Sequence, residues 1–443
     1  MQRFIVEGGA SLKGTLNVSG SKNAAIKMIA ASLLSSEEIV LSNVPNISDV
    51  EVILNMVRNL GTEVSWVDEN KIRLKSPSPV SQRIPTEITR TTRSAIMLMA
   101  PLLARYGDFS MCSPGGDGIG VRPINRHLEA LAAFGAEVGH KDNCYFGSTK
   151  TGLVGTEVGF KKNTVMGTET AVLAGVLASG KTVINNAAAE PEIDDLILFL
   201  NKMGAKITRK DERTIEIEGV TVLHGASHEV MPDRNEAVTY AVAGAVTRGD
   251  VTISRIIPQH LTSFLAKIHK IGVSYEVGKN SLRVWVDKDT VFNPADVETS
   301  PFPGFMTDWQ QPFCVLLTQA QGVSHIHETI YLNRFEYSKE LNRMGAKIEI
   351  LKPSSRGFKP KTDEEYDMDV SGEPTTLAEI TGPVSLIGRR LNIPDLRAGA
   401  TLVIAALCAK GQSEIFGIEH IDRGYENFEA KLNSLGAHIE RVS

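Results

Sequence analysis

One short phrase constrains this chain more than any other. An apolar residue is followed by glycine, a small residue, any residue and a second apolar residue. It occurs six times, at residues 60–64, 134–138, 203–207, 271–275, 344–348 and 435–439. The glycines are Gly61, Gly135, Gly204, Gly272, Gly345 and Gly436, spaced by 74, 69, 68, 73 and 91 residues. Such self-similarity marks a chain assembled from copies of one supersecondary unit. Each copy reads the same way. A mostly apolar helix (23–31 in the first) leads to a β-branched strand (38–41), then to an amphipathic helix (52–57). The glycine closes that helix, where a left-handed cap favours it, and a strand follows. Alternating helices and strands define an α/β or α+β class. With 443 residues and roughly 150 residues per domain, two domains of three units fit better than one stack of six. The last interval is longer by about twenty residues. The excess falls in 351–389, which holds Pro353, Gly357, Pro360 and an acidic run at 362–365. It is expected to be a mobile surface insertion.

Charge and cysteine usage narrow the class. Lys and Arg number 47 against 52 Asp and Glu, a net charge of −5. A general nucleic-acid binder or an anionic-membrane binder would carry a basic excess. No 18-residue apolar run and no leader-like N-terminus appear, so a cytoplasmic protein without membrane insertion is expected. Cys112, Cys144, Cys314 and Cys408 form no CxxC pair, which speaks against a zinc ribbon or a disulfide scaffold and for a reducing compartment.

The repeat grid exposes residues that structure alone does not require. Lys22, Arg93, Arg234, Asp308 and Arg397 lie 39, 42, 38, 37 and 39 residues before their repeat glycines, each at the start of the apolar helix. Arg122 and Arg423 lie 13 residues before theirs, and Arg334 lies 11 before. A cation at a helix N-terminus opposes the macrodipole by roughly 0.3–1 kcal/mol. Several in matching slots point to a shared anion site, since arginine forks and helix N-termini both hold phosphate and carboxylate. Solvated surface ion pairs are the competing reading.

Three motifs are set aside. Residues 175–182 match the P-loop expression, but a helix precedes them and a strand follows, the reverse of a P-loop. His325 and His327 alternate as a strand does, with no third ligand cluster. The glycine-rich stretch 115–120 lacks dinucleotide-binding spacing, although it sets Asp117 five residues before Arg122, a candidate for proton transfer.

Taken together, several phrases resemble the enolpyruvyl transferase family, which also contains EPSP synthase. They are 19–25 (SGSKNAA), 114–123 (PGGDGIGVRP), 190–193 (EPEI), 232–234 (PDR), 307–308 (TD), 333–335 (NRF), 395–398 (DLRA) and 420–426 (HIDRGYE). The resemblance spans the whole chain, in order, apart from the insertion. It implies a two-domain inside-out α/β barrel of six βαβαββ-type repeats, with 22–232 as one domain and 1–21 plus 233–443 as the other. Substrates would bind in the cleft between them. Within the family the chain is most similar to members whose acceptor is UDP-N-acetylglucosamine. The implied reaction moves the enolpyruvyl group of phosphoenolpyruvate to the sugar 3-hydroxyl and releases phosphate. That is the first committed step of peptidoglycan synthesis, and hence of cell-wall biogenesis, cell shape and division. No metal or cofactor is implied.

The resemblance also assigns roles. Lys22, Arg122, Arg397 and Arg423 match cations around phosphoenolpyruvate, with Lys22 and Arg397 in the catalytic set. Asp308 matches the carboxylate near the 3-hydroxyl, a general base. Asn23 matches a sugar contact. Arg93, Pro123, Asn125 and Arg334 match further substrate-binding positions. Asp117 stands where most members carry a reactive cysteine, which implies insensitivity to fosfomycin. Asn125, Asn163, Val165 and Phe302 depart from the usual residues near the nucleotide. They keep open another nucleotide or cyclitol acceptor, or a catalytically silent paralogue that binds a nucleotide sugar. The oligomeric state is not set by the sequence.

Overall fold

The six glycines do close six helices. In this computed structural model, Gly61, Gly135, Gly204, Gly272, Gly345 and Gly436 have φ between 89° and 103°, the left-handed region that a side chain strains. After each, the next N–H reaches the carbonyl five residues back, as from Thr62 to Val57 (3.0 Å) and from Ala437 to Leu432 (3.1 Å). This is the Schellman pattern, and it turns the chain from helix into strand. The structure describes residues 2–77, 82–84, 86–90, 92–112, 115, 124–362 and 366–443.

The third repeat shows the unit whole. Strand Glu157–Gly159, helix Val165–Gly175, strand Lys181–Asn185, helix Pro191–Lys202 and the hairpin Lys206–Asp211 and Thr214–Glu218 follow in order. The first two strands are parallel, and the hairpin adds antiparallel. The described residues form six four-stranded sheets of this kind. Three borrow a strand from elsewhere in the sequence. Strand Lys13–Asn17 pairs with Asp250–Ser254, and Ser227–Glu229 pairs with Glu38–Ser42. Strand Arg3–Glu7 lies between Gln412–Phe416 and His438–Val442 and completes the last sheet.

The contacts divide the described residues into two compact units, one of 2–19 and 232–443, the other from within 20–231. In the first, helices Arg234–Val246, Thr307–Leu317 and Leu396–Cys408 pack on one another. All residues of the first helix are buried, and nearly all of the other two. A helix apolar on every side belongs at the centre of a core, which places the sheets outside and explains their alternating burial. In the second unit, helices Lys22–Ala31, Met99–Tyr106 and Val165–Gly175 are the corresponding apolar segments. No helix among the described residues is long and apolar enough to cross a membrane.

Three expectations change. The extra residues of the fifth repeat are 352–376, because Ile348–Leu351 and Leu377–Gly382 pair as an ordinary hairpin on either side of them. The remainder, 383–389, is the connection to strand Arg390–Asn392. The described part of the insertion is also fastened to its sheet. Arg356 pairs with Glu379, Lys361 pairs with Glu298, and Phe358 packs on His325 and His327 (ring centroids 5.4 and 5.8 Å). Finally, Cys112 and Cys144 are joined, with S–S 1.98 Å. They sit directly opposite each other on paired strands, a register that cysteine spacing does not reveal. One cross-strand bond is not a disulfide scaffold. The segment 175–182 runs from helix into strand Lys181–Asn185, and Lys181 pairs with Glu216 (2.9 Å).

Candidate active site

Packing three helices side by side brings their N-termini together. In the unit of 2–19 and 232–443, those first turns carry Arg234, Asp308 and Arg397. Two of the helices are capped by aspartates. Asp233 accepts from the N–H groups of Asn235 and Glu236 (2.7 and 3.2 Å), and Asp395 from Ala398 (3.0 Å). These caps satisfy donors that a buried helix end would otherwise leave orphaned.

Asp308 is the centre of this cluster. Its Oδ1 accepts from Arg334 Nη2 at 2.6 Å, and its Oδ2 from Arg397 Nε and Nη2, both at 3.2 Å. Both arginines are only 5% exposed. Each keeps a buried donor with no partner among the described residues, Nε on Arg334 and Nη1 on Arg397. A buried guanidinium donor left unpaired costs roughly 1–3 kcal/mol, so each of these donors is available to an acceptor. Burial works against the charge of Arg397, but Tyr425, Asp308 and Asp233 outweigh it and raise its pKa. Arg334 is likewise raised, with burial opposing and Asp308, Asp395 and Glu328 prevailing. Both are fixed cations.

The surroundings hold these groups still. Glu328 accepts from Thr307 Oγ1 (2.8 Å) and from the N–H groups of Ile330 and Tyr331 (2.7 and 3.2 Å), tying the start of the Asp308 helix to the Arg334 loop. Gln310 Nε2 donates to the Arg334 carbonyl (3.3 Å) and its Oε1 accepts from Tyr337 (2.7 Å). Arg234 lies over the ring of Phe302 at 5.0 Å. Phe302 thus serves as the apolar face of a cation–π pair. Arg423 stands half-buried just after helix Glu419–Asp422.

In the other unit, Lys22 opens helix Lys22–Ala31, and its Nζ donates to Asp49 at 3.0 Å. Asn23 follows it, half-buried. Arg93 begins the 3₁₀ turn Arg93–Leu98. With burial acting first, its charge helps hold the His127 imidazole down to about 3. Asn125 is exposed at the start of helix Asn125–Ala133. Asn163 donates to the Ala187 carbonyl (3.2 Å), so it has a local structural task, and Val165 is the first residue of its helix. Asp117, Arg122 and Pro123 lie outside the described residues. Sequence reasoning missed one buried pair on this side. Lys27, one turn after Asn23, faces Glu169 at 3.5 Å. The signal was present, as one charged residue inside each of two apolar helices.

Two buried arginines thus converge on one aspartate at the packed helix starts. The chain belongs to the EPSP synthase (3-phosphoshikimate 1-carboxyvinyltransferase) family, whose model matches residues 6–432. Among its relatives is UDP-N-acetylglucosamine 1-carboxyvinyltransferase of Hydrogenovibrio crunogenus, 40% identical over 443 residues and covering 100% of both chains. UDP-N-acetylglucosamine 1-carboxyvinyltransferase 2 of Carboxydothermus hydrogenoformans is 41% identical over 445 residues, again covering 100% of both chains. The fold is shared with the enolpyruvyl transferase NikO from Streptomyces tendae (TM-score 0.85, 20% identity, 100% of this chain and 99% of that one). It is also shared with EPSP synthase from Acinetobacter baumannii (TM-score 0.72, 16% identity, 100% of both chains).

Proposed function

We propose that this protein transfers the enolpyruvyl group of phosphoenolpyruvate to the 3-hydroxyl of UDP-N-acetylglucosamine, releasing phosphate, and so commits that sugar nucleotide to peptidoglycan. The observation that carries the reading is Asp308 clasped by two buried arginines that each keep a buried donor without a partner among the described residues. The full-length relatives support the choice of acceptor.

The reaction is an addition followed by an elimination. The phosphoenolpyruvate methylene takes up a proton, and the sugar oxygen bonds to C2 as its own proton leaves. The tetrahedral intermediate then loses phosphate from C2 and a proton from the new methyl group, which restores the carbon–carbon double bond and leaves the sugar oxygen in an enol ether. Asp308 is the base for the hydroxyl proton. Of these arginine contacts its Oδ1 accepts one, from Arg334, whereas its Oδ2 already accepts twice from Arg397, so Oδ1 keeps room for that proton. Lys22, Arg122, Arg397 and Arg423 are the cations for carboxylate and phosphate. Fixed cations of this kind stabilise the departing phosphate with little reorganisation, while positive charge developing at C2 is offset by a carboxylate such as Asp308. Asn23, Arg93, Pro123, Asn125 and Arg334 position the substrates, and Asp117 supplies or removes the carbon-bound proton.

The test is product identification. Purified protein is given phosphoenolpyruvate with UDP-N-acetylglucosamine, with another nucleotide sugar, or with a phosphorylated cyclitol, and products are weighed by mass spectrometry. An enolpyruvyl ether of UDP-N-acetylglucosamine supports the reading. An ether formed only on another acceptor replaces the substrate, and no ether on any acceptor removes the activity.

A further inference from the structure

We propose that Tyr425, anchored through its hydroxyl on Thr239, is a positioning residue that aims the free donor of Arg397 at the substrate anion. The inference rests on the reading of Arg397 as a substrate cation and adds to it the means by which that cation is aimed.

Arg397 is a long side chain with several rotatable bonds, and a 3.2 Å fork onto one aspartate oxygen leaves it free to pivot. What limits the pivot is on its other side. The guanidinium carbon lies 5.3 Å from the centre of the Tyr425 ring, within cation–π range. The ring is 2% exposed and packs against Phe428 at 4.9 Å between centroids. Its hydroxyl meets Thr239 Oγ1 at 2.9 Å, and Thr239 is itself fixed by donating to the Asn235 carbonyl at 2.8 Å. Burial raises the Tyr425 phenol above its ordinary range, so it stays neutral.

The next residue is anchored too. Glu426 accepts from Ser19 Oγ (2.7 Å), which accepts from Lys431 (2.6 Å), and Lys431 also donates to buried Glu236 (3.0 Å). The Tyr425 backbone therefore sits beside a braced segment of the same unit. Groups held this way keep a reactive geometry within a fraction of an ångström. Asp308 in front and Tyr425 behind leave Arg397 Nη1 as its one buried donor without a partner among the described residues.

The experiment compares Tyr425→Phe, Tyr425→Leu, Thr239→Val and Thr239→Ser with wild type and with Arg397→Met. It reads kcat, KM for each substrate, inhibition by inorganic phosphate, and thermal unfolding. Tyr425→Phe and Thr239→Val should each raise KM for phosphoenolpyruvate and weaken phosphate inhibition by about tenfold, a scale set by one mis-aimed charge-assisted hydrogen bond. KM for UDP-N-acetylglucosamine should stay within about twofold. Tyr425→Leu should lose more, and Thr239→Ser, which keeps the hydroxyl, should restore wild-type values. The proposal is overturned if Arg397→Met is inactive while the Tyr425 and Thr239 variants keep wild-type phosphate inhibition. An active Arg397→Met enzyme instead removes the reading of Arg397 as a substrate cation, and this inference with it. Thr239→Val keeps the test decisive if Tyr425→Leu fails to fold.

Discussion

Replacing Glu169 by Gln removes a charge from the middle of a core. Glu169 is 0% exposed; its oxygens have no closer hydrogen-bond partner among the described residues than Lys27 Nζ, at 3.5 Å. Burial pushes its carboxyl up to about 7; Lys27 pulls the other way, and Glu192 and Glu190 add to the rise. The fold therefore favours the protonated form, and its contribution is fully present below the ordinary value of 4.5. That contribution is lost as pH rises through about 7. At about 1.4 kcal/mol per pH unit of displacement, the loss is ~3 kcal/mol. Gln imitates the neutral acid and does not titrate. Melting should thus be compared between Glu169→Gln and wild type at pH 5 and at pH 8. For a unit of this size 1 kcal/mol moves Tm by about 2–4 °C, so the variant should gain roughly 5–10 °C on wild type between the two pH values. Contacts peculiar to the amide cancel in that difference. A gap between the two proteins that does not change with pH would refute the reasoning, because Glu169 would then be ionised at no cost.

Further outcomes follow from the same geometry. Lys27→Met leaves Glu169 without its counter-charge and should lower stability by about 3–5 kcal/mol at pH 8. The loss should be smaller at pH 5, and Lys27→Met with Glu169→Gln should recover most of it in thermal melts. His127 is buried against Thr170 (2.7 Å) and held down to about 3. It adds stability above its ordinary 6.5 that is lost as pH falls toward 3, and its NMR shifts should stay those of neutral imidazole down to pH 5. Asp308→Asn removes the base and the one carboxylate that both buried arginines contact. Turnover should fall by roughly 10²–10⁴ and Tm should drop, read by phosphate release and calorimetry. Asp117→Asn should lose most turnover, whereas Asp117→Cys should keep activity and gain fosfomycin sensitivity. An active Asp117→Asn enzyme would take Asp117 out of the mechanism.

The repeat was legible because it is local. A glycine in a left-handed cap and the strand after it are fixed by neighbours a few residues away, so six matching phrases reported six matching turns. A second local signal went unread. Asn201, Asn342 and Asn433 each stand three residues before a repeat glycine. Each bonds back to the strand beyond it, as Asn201 does to Ile207 through both its amide atoms (2.9 Å each). The helix-start charges were also visible, since Asp308 and Arg397 interrupt apolar runs. That Asp308 meets Arg334 and Arg397 was not visible from spacing, because the contact spans 26 and 89 residues and depends on how three helices pack. The Cys112–Cys144 bond and the Lys27–Glu169 pair escaped for the same reason. Both are set by register and packing between segments distant in sequence. The insertion was found by arithmetic, but its edges were not, since hairpin pairing rather than composition decides where a strand resumes.

Release of inorganic phosphate tests the central claim most directly. Purified protein receives phosphoenolpyruvate alone, UDP-N-acetylglucosamine alone, or both, with no metal added. The account predicts release only when both are present, matched in amount by the enolpyruvyl sugar nucleotide. Release from phosphoenolpyruvate alone, or none with both substrates, would contradict it.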